Sequence, residues 1–439
     1  MGKAPKPVRI AVLGLGTIGT GTVELLCAHR DAIEARLGRG LELVAAADRN
    51  KGRAEVLPEG VRFYTDAAEL IAREQADVLV ELIGGHEPAR TLVLEAIQRG
   101  MHIVTANKAL IAEHGEAILA AAEQAGRIVR FEAAVGGGIP ILKALREGLA
   151  ANRIEAIYGI LNGTCNYILT RMDERGMSFA EALAEAQALG YAEADPSLDV
   201  GGVDAAHKLA ILAAMAFDAR LDFGGVCVEG IEAITPLDME YARALGYRIK
   251  LLAVARPHDE AIEMRVHPAL VRSDHPLADV RDSYNAVMVV GDFVERTMFY
   301  GRGAGAHPTA SAVLADVMEI AQFFDHPEAA PPAMGLPAQA RRTRPALPAE
   351  DVVSEYYLRI MVEDRPGVIA AITSILGDHR ISLEALLQRE RHVGGVVPIV
   401  MLTHATREGN LRTAVERIAH LDAVEGRPLV LRKLGNEEG

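Results

Sequence analysis

Residues 8–19 read VRIAVLGLGTIG, a short apolar run that leads directly into a glycine-rich turn. Val8–Leu13 is rich in β-branched residues and predicts a buried strand, while Thr20–Arg36 has the apolar spacing of a helix. Glycines recur between them in the pattern GxGxxG, a weak signal by itself but a stronger one between a strand and a helix. This stretch predicts a dinucleotide-binding unit at the start of the chain.

Each residue of the turn has a predicted role. Gly14 permits the tight turn, Gly16 lets the backbone approach a pyrophosphate, and Gly19 allows the helix and strand to pack closely. The N–H groups at the helix start, Thr17 and Ile18, would face the phosphates with the positive end of the helix dipole. The alternative is a glycine turn without a ligand.

Leu41–Ala47 predicts a second buried strand, which ends on Asp48 and Arg49. An acid at this position usually accepts the adenosine ribose hydroxyls and favours NAD, whereas Arg49 would accept a 2′-phosphate and favour NADP. The interval from Gly19 to Asp48 exceeds the usual twenty or so residues, which a long first helix would explain. These residues leave NAD and NADP both open.

Strands continue to alternate with helices up to about residue 135. Candidate strands are Val78–Ile83 and His102–Thr105, and candidate helices are Glu87–Gly100 and Ala109–Gly126. This alternation predicts an α/β fold with a parallel sheet covered on both faces. We therefore expect a Rossmann-type NAD(P)-binding domain over residues 1–135.

The next region, residues 136–325, has strand candidates at Ile154–Leu161, Arg248–Ala255 and Ala286–Gly291. We expect an α+β domain here. Pro and Ala then become frequent over residues 326–354, which predicts a semi-extended linker.

The final segment, residues 355–435, has the pattern strand–helix–strand–strand–helix–strand, which is typical of a ferredoxin-like fold. Its strand candidates include Leu383–Gln388, and a helix is expected over Asn410–Leu421. Asp364–Gly367 precedes the first helix, where free N–H groups would meet an amino acid's carboxylate.

Length and composition limit the classes of protein. A chain of 439 residues suggests about three domains. The net charge of −14 disfavours nucleic-acid binding. Three cysteines without a CxxC pair disfavour a disulfide framework or a thiolate zinc site. Without an apolar run of membrane-spanning length or a signal-peptide core, we expect no membrane association and, by elimination, a cytoplasmic protein.

Residues 190–208 read GYAEADPSLDVGGVDAAHK and concentrate acids before a lysine. Glu193, Asp199 and Asp204 lie close together in sequence, and Lys208 follows Asp204 by four, so the last two share a face if the segment is helical. A carboxylate beside an amine suits a site that holds a zwitterion and moves one proton. Spacing alone favours an ordinary helix-surface ion pair.

Two further segments follow candidate strands. Residues 81–85, ELIGG, end in two glycines, and these small residues would let the backbone at Ile83 and Gly84 lie against a nicotinamide ribose; the alternative is an ordinary turn. We interpret His86 as a solvated turn residue. Lys108, in TANK, follows the strand HIVT and would face the crevice where parallel sheets bind ligands rather than bulk solvent.

Taken together, these motifs resemble homoserine dehydrogenase, in the long form with a C-terminal ACT domain. The matching stretches occur in the family's order over about residues 8–325, and residues 355–434 resemble ACT domains. The stretches are GLGTIGTG, ELIGG, VTANKALIA, FEAAVGGGIPI, LNGTCNYIL, GYAEADPSLDVGGVDAAHKLAIL and GRGAGAHPTASAVLAD.

The resemblance implies the reversible NAD(P)H-dependent reduction of aspartate 4-semialdehyde to homoserine. By motif, Lys108 and Lys208 match the essential lysines, with Lys208 the proton donor. Glu193 matches the acid that binds the substrate's amino group. Asp199 and Asp204 match the acids that support the substrate and the lysine.

The resemblance also implies a monovalent cation, sodium or potassium, at the junction between domains. Glu132, Val135, Gly137 and Ile139 match a site built largely from backbone carbonyls. Gly303, in GRGAG, matches a residue at the cofactor.

Two residues depart from the family pattern. Cys165 stands where a second threonine is usual in NGTTN, and we interpret it as a packing change. Arg302 stands where GPGAG is more usual, which adds a charge close to the cofactor.

The region 136–325 is then the substrate-binding, catalytic and dimerisation domain, and the expected assembly is a homodimer or homotetramer. The ACT domain makes threonine the expected effector. Two alternatives remain: a phosphoglycerate dehydrogenase, in which TANK and DAAHK do not belong, and a cofactor-binding sensor without catalysis.

Overall fold

A computed structural model describes residues 5–389 and 395–435. The chain forms two compact units, each assembled from three segments. Unit 1 comprises Met1–Ile157, His207–Gly224 and Asn285–Arg344, and unit 2 comprises Tyr158–Ala206, Gly225–Tyr284 and Pro345–Gly439. The sequential domain boundaries stay a prediction, since each compact unit draws on more than one of the predicted domains.

A six-stranded parallel sheet forms the centre of unit 1. Its strands are β1 (Val8–Leu13), β2 (Leu41–Ala47), β3 (Arg62–Tyr64), β4 (Val78–Glu81), β5 (His102–Thr105) and β6 (Val129–Arg130). Their order is β3-β2-β1-β4-β5-β6, so the winding direction reverses beside β1, as in a Rossmann-type fold. The predicted fold of this region is confirmed, although β3 and β6 were not predicted.

Helices accompany these strands along the chain. They are α1 (Thr17–Ala28), α2 (Arg30–Leu37), α3 (Ala67–Arg73), α4 (Ala89–Gln98), α5 (Lys108–Ala125) and α6 (Ile141–Lys143). The single helix predicted over Thr20–Arg36 is wrong. His29 closes α1 by donating its N–H to Leu25 O and opens α2 by accepting from Ile33 N–H. These two helices together fill the long interval before Asp48.

The middle of the chain contains both helices and antiparallel strands. The elements are β7 (Ile154–Ile160), α7 (Gly163–Arg175), α8 (Phe179–Ala188), α9 (Ser197–Val200), α10 (Val203–Ala216), β8 (Cys227–Val228), α11 (Pro236–Ala244), β9 (Tyr247–His258), β10 (Ala261–Arg272), β11 (Tyr284–Gly291), β12 (Glu295–Arg302) and α12 (Ala306–Gln322). The three predicted strands correspond to β7, β9 and β11. We did not predict β10, whose polar residues Glu263, Arg265 and His267 are buried. Helix α10 begins in unit 2 and ends in unit 1.

The last segment has the predicted ferredoxin-like order. Its elements are β13 (Val353–Glu363), α13 (Val368–Asp378), β14 (Leu383–Leu387), β15 (Val396–Thr403), β16 (Thr406–Arg407), α14 (Glu408–Ala419) and β17 (Val424–Lys433). The sheet order is β17-β13-β15-β14 with antiparallel pairing. The fold class predicted for this module is confirmed.

This C-terminal sheet continues into the rest of unit 2. Strand β17 pairs with β10 in parallel, with Ala269 opposite Arg432 and Leu270 opposite Lys433. On α11, fully buried Asp238 accepts hydrogen bonds from Arg359 Nε at 2.6 Å and from Tyr357 OH at 3.1 Å. Strand pairing and buried polar contacts therefore attach the module.

The Pro- and Ala-rich segment 326–354 has little regular structure, as expected of a linker, but its residues are held by specific contacts within each unit. In unit 1, Arg341 is buried and its Nη1 lies 2.6 Å from Glu116 Oε1. In unit 2, Pro345 O accepts the N–H of Ile262 at 2.9 Å. No helix among the described residues is both long enough and apolar enough to cross a membrane.

Candidate functional site

Three glycines shape the turn between β1 and α1. Gly14 has a φ of +92°, and a Cβ there would lie 2.7 Å from Leu82 O, so the turn leaves no space for a side chain. A Cβ on Gly19 would lie 2.0 Å from Gly14 O. A Cβ on Gly16 would meet nothing within 4 Å. Of the three, Gly16 alone presents an open backbone, beside the first N–H groups of α1.

A cavity of about 600 Å³ adjoins this turn in unit 1, and its lining includes Gly16, Asp48, Arg49 and Ile83. This volume lies in the range of cofactor sites. Asp48 Oδ2 accepts the N–H of Leu15, and its Oδ1 accepts the N–H of Asn50, each at 2.8 Å. Asp48 therefore braces the glycine turn, while exposed Arg49 borders the cavity. The open backbone and the cavity fit a dinucleotide.

Glu81, at the end of β4, organises the ELIGG turn. Its carboxylate is fully buried, and Oε1 accepts the N–H groups of Ile83 at 2.8 Å and Gly84 at 3.0 Å. Its Oε2 accepts the hydroxyl of Thr105 at 2.6 Å, which joins the turn to the end of β5. We did not predict this role, although an acid at the end of an apolar strand before two glycines was a usable signal.

Asn107 connects the same turn to α5. Its Nδ2 donates to Gly85 O at 2.6 Å, and its Oδ1 accepts the N–H of Leu110 at 3.1 Å as the cap of α5. Lys108 is the first residue of this helix and is half-buried. Lys108 thus follows the carboxyl end of β5, as the sequence predicted.

Helix α10 carries Lys208 in its second turn, and this residue is 8% exposed. The preceding His207 places Nε2 3.0 Å from Glu113 Oε1 on α5, and its ring stacks on Phe223 with centroids 4.3 Å apart. These contacts tie α10 to α5, the helix that begins with Lys108. Sequence reasoning missed His207 and Glu113, since no local pattern indicates that they meet.

In unit 2, Asn162 joins two of the predicted acids. Its Nδ2 donates to Asp199 Oδ1 at 2.7 Å and to Asp204 Oδ2 at 2.8 Å, while its Oδ1 caps α7 through the N–H of Cys165. Asp204 is 7% exposed. Cys165 is fully buried, and its Sγ lies 3.1 Å from Asp199 O, as a packing residue would. We did not predict the role of Asn162; its position as a helix cap after a strand was the available signal.

Glu193 lies in the segment between α8 and α9, and its side chain is exposed. Its carbonyl accepts from Gln187 Nε2 at 3.1 Å. Thr164 anchors the same segment by donating its hydroxyl to Tyr191 O at 2.6 Å. Glu193 therefore has a solvent-facing carboxylate, whereas Asp199 and Asp204 converge on Asn162.

The residues predicted for a monovalent cation lie in one buried turn, Glu132–Ile139 in unit 1. The carboxylate of Glu132 accepts the N–H groups of Leu142 at 2.9 Å and Lys143 at 2.7 Å. Burial raises the pKa of Glu132 to about 7. Because this carboxylate already accepts N–H groups at the start of α6, the oxygen atoms of the turn that remain for a cation are its backbone carbonyls.

Gly303 packs directly against this turn. A Cβ on Gly137, whose φ is +55°, would lie 2.5 Å from Gly303 O, and a Cβ on Gly303 would lie 2.0 Å from Asn285 Nδ2. Arg302 O accepts the N–H of Gly138 at 3.1 Å. The GRGAG segment and the predicted cation turn are therefore in backbone contact.

Three regions of the chain match known protein families. Residues 14–132 match the family "Homoserine dehydrogenase, NAD binding domain", residues 140–318 match "Homoserine dehydrogenase", and residues 356–422 match "ACT domain". The predicted ACT domain is thereby confirmed.

Individual proteins match along nearly the whole chain. A homoserine dehydrogenase of Neisseria gonorrhoeae is 46% identical over 98% of this chain and 99% of its own length. The crystal structure of a homoserine dehydrogenase from Thiobacillus denitrificans has a TM-score of 0.93 at 47% identity, covering 98% of this chain and 99% of that one. A hyperthermophilic archaeal homoserine dehydrogenase, solved in complex with NADPH, has a TM-score of 0.61 at 25% identity over 72% of this chain and 97% of its own. Since two such relatives span almost every residue, the chain belongs to the homoserine dehydrogenase family.

Proposed function

We propose that Lys208 is the proton donor in the reaction of this enzyme, and that Asp204 orients it. The reaction is the reversible NAD(P)-dependent reduction of aspartate 4-semialdehyde to homoserine, a step in amino-acid biosynthesis. The observation that carries the proposal is the position of the two residues, four apart on one face of α10 and both more than nine-tenths buried.

The side chains of the protein stabilise the charge that develops on the substrate during the reaction. The bound nicotinamide supplies the hydride that reaches the aldehyde carbon. As negative charge grows on the aldehyde oxygen, the ammonium of Lys208 stabilises it and then donates a proton. Asn162 holds Asp204 in place by a hydrogen bond of 2.8 Å, so the lysine has a fixed counter-charge on the preceding turn.

We assign the remaining predicted residues to binding. The exposed carboxylate of Glu193 would pair with the substrate's ammonium group, and Asp199, fixed by Asn162, would support the same end. Lys108, at the start of α5, adds a second positive charge for the anionic groups of the substrate.

The direct test follows nicotinamide absorbance in purified enzyme with homoserine and either NAD or NADP. Homoserine-dependent formation of reduced cofactor is expected with both. Failure with both cofactors, by protein that retains its folded state, would contradict the assignment of this activity.

For the cofactor, we propose dual use with a preference for NADP. Both oxygens of Asp48 already accept backbone N–H groups, which weakens it as a partner for ribose hydroxyls. Exposed Arg49 borders the same cavity and can meet a 2′-phosphate. The archaeal relative in complex with NADPH supports this preference.

We propose that the turn Glu132–Ile139 binds sodium or potassium. Glu132, Val135, Gly137 and Ile139 would contribute carbonyl oxygens, the uncharged donors that suit a weakly held monovalent cation. The Glu132 carboxylate accepts two N–H groups of α6, which leaves the backbone carbonyls as the oxygens that would bind the cation. The cation would brace the turn against which Gly303 packs.

We propose that threonine binds the ACT domain and lowers activity. Asp364–Gly367 precedes α13, and Gly367, with a φ of +92°, gives the helix no side-chain cap, so its first N–H groups would be the partners of a carboxylate. Assaying activity with millimolar threonine tests this directly; an unchanged rate would leave a purely structural ACT domain.

We propose a homodimer as the smallest assembly, with a homotetramer as the alternative. Strand β12 ends the strand order of its sheet, and the apolar side chains of Phe293, Met298 and Tyr300 beside or on it are exposed, Phe293 by 88%. An apolar edge strand favours pairing with a second copy. Phe293→Glu should shift the mass measured by light scattering toward the monomer.

We also propose a cytoplasmic location. Cys27, Cys165 and Cys227 form no disulfide with one another, as is usual for proteins of reducing compartments. Fractionation of cells that express the enzyme tests this.

A further inference from the structure

Three side chains outside the proposed substrate site converge in unit 1: His86, Glu113 and His114. Each offers a nitrogen or oxygen, and these atoms all lie within 4.8 Å of one another. His86 Nε2 is 3.6 Å from Glu113 Oε1, and the two histidine rings meet edge to face with centroids 5.6 Å apart. The group combines two imidazole rings with one carboxylate, so it is more than an acidic surface patch.

The scaffold around the group fixes these positions. Gly84 and Gly85 have φ values of +80° and +72° and turn the chain after β4 so that His86 points back toward α5. The hydrogen bond from Asn107 Nδ2 to Gly85 O attaches this turn to the helix that carries Glu113 and His114. The donors therefore come from two elements that are joined independently of any ion.

We propose that His86, Glu113 and His114 form a binding site for a divalent transition-metal cation of the zinc class. Two histidines and one glutamate are a ligand set that Zn²⁺ accepts, with a fourth position left for water. Tetrahedral ligands about 2.1 Å from zinc lie about 3.4 Å apart, close to the 3.6 Å between His86 and Glu113. Small side-chain rotations would bring a ring nitrogen of His114 to a similar distance from the other two ligand atoms.

A cation bound at this site would affect the contact between α5 and α10, the helices that carry Lys108 and Lys208. Glu113 Oε1 also lies 3.0 Å from His207 Nε2, the contact that ties α10 to α5. A cation that draws on the Glu113 carboxylate competes with this contact, and His207 immediately precedes Lys208. Binding should therefore lower the rate of homoserine oxidation.

The experiment uses the full-length chain, freed of metal with a chelator. Calorimetric titration with Zn²⁺ should give one site per chain, and Co²⁺ should give the visible absorption of a tetrahedral complex. His114→Ala and His86→Ala should each weaken binding by at least about tenfold, the loss typical of even an outer-shell partner. Zn²⁺ inhibition should shift to higher concentration by the same factor.

His326→Ala is the matched control. His326 Nδ1 lies 3.2 Å from Glu328 Oε1, a histidine–acid pair that belongs to no three-ligand cluster in the described part of the chain. This variant should bind Zn²⁺ and respond to it as the unmodified enzyme does. Equal affinity in His86→Ala, His114→Ala and unmodified enzyme, or no binding at micromolar Zn²⁺, would overturn the site. Unchanged inhibition in both variants would overturn its link to catalysis.

Discussion

Arg432, at the end of the ACT strand β17, forms a two-pronged ion pair with Glu229, which follows β8. Its Nη1 and Nη2 lie 2.9 and 2.8 Å from the two carboxylate oxygens. The same guanidinium also binds Glu408 on α14, at 3.0 and 2.6 Å. Burial alone would lower the pKa of Arg432, but hydrogen bonds to the two glutamates raise it, so this buried residue stays charged.

Glu229 begins a short segment that reaches the proposed substrate turn. A Cβ on Gly230 would lie 2.6 Å from Val200 O, so the two backbones are in direct contact. The N–H of Ile231 donates to the same carbonyl at 3.0 Å. Val200 directly follows Asp199. Three consecutive residues thus connect the ACT sheet to the acid that we assign to substrate support.

Glu229→Gln tests this connection. The substitution weakens the ion pair with Arg432 but leaves Glu408, so we expect a folded enzyme whose threonine response is reduced and whose KM for homoserine rises several-fold. Glu384→Gln is the control, since it removes a partner of the neighbouring Lys433. Steady-state kinetics with and without threonine provide the measurement. Identical threonine responses in both variants and the unmodified enzyme would exclude coupling through Glu229.

Lys208→Met should reduce kcat by about a hundredfold or more, because a positioned proton donor contributes on that order. The substitution keeps an apolar stem of similar length, so the fold should survive. Lys143→Met, at a half-buried lysine on α6, is the control and should retain most of its activity. Near-normal turnover of Lys208→Met in both directions would assign the proton to another group.

Glu193→Gln should act on binding instead. Its exposed carboxylate is proposed to meet the substrate's ammonium, and the amide is of similar size without the charge. We expect the KM for homoserine to rise by about tenfold or more, the factor that corresponds to 1.4 kcal/mol, with a smaller change in kcat. Asp195→Asn, in the same exposed segment, is the comparison. Equal effects of the two substitutions would argue for a general charge effect.

Local patterns predicted the parts of this site that short stretches of chain determine. The GxGxxG turn and the four-residue spacing of Asp204 and Lys208 are of this kind, since neighbouring residues set their geometry. Asn162, in contrast, meets acids that are 37 and 42 residues away, and Thr105 meets an acid 24 residues away. Tertiary packing brings such pairs together, so no spacing in the sequence reveals them.

The same limit explains the missed strand β10. Glu263 and Arg265 would be solvated in an ordinary strand, but here they pair with each other while buried. Only the surrounding sheet makes this arrangement favourable, because a buried charge requires a partner.

Arg49→Ala should distinguish the two cofactors. If its guanidinium meets the 2′-phosphate, kcat/KM with NADP should fall by about tenfold or more, while kcat/KM with NAD changes little, since a charged hydrogen bond contributes about 1.5–3 kcal/mol. Arg53→Ala, a few residues along the chain, is the control. Equal losses with both cofactors would place the phosphate contact elsewhere.

His102 gives the enzyme a pH-dependent stability that can be isolated. It is 1% exposed on β5, and its Nδ1 accepts the N–H of Ile128 at 2.9 Å. Burial, helped by the charges of Arg127 and Arg130, lowers its pKa from 6.5 to about 4. The folded state therefore takes up this proton less readily than the unfolded chain.

The sign follows from that difference. Above pH 6.5 the imidazole is neutral in both states and has no effect on the pH dependence. As pH falls from 6.5 toward 4, the unfolded chain gains the proton first, and folding loses up to roughly 3 kcal/mol. His102→Asn keeps an acceptor near Ile128 but does not titrate. Its urea midpoint, relative to the unmodified enzyme, should rise steadily as pH is lowered over this range, whereas parallel curves would show that the pKa of His102 is the same in the folded and unfolded states. Because buried His267 is common to both proteins, its own lowered pKa cancels in the comparison.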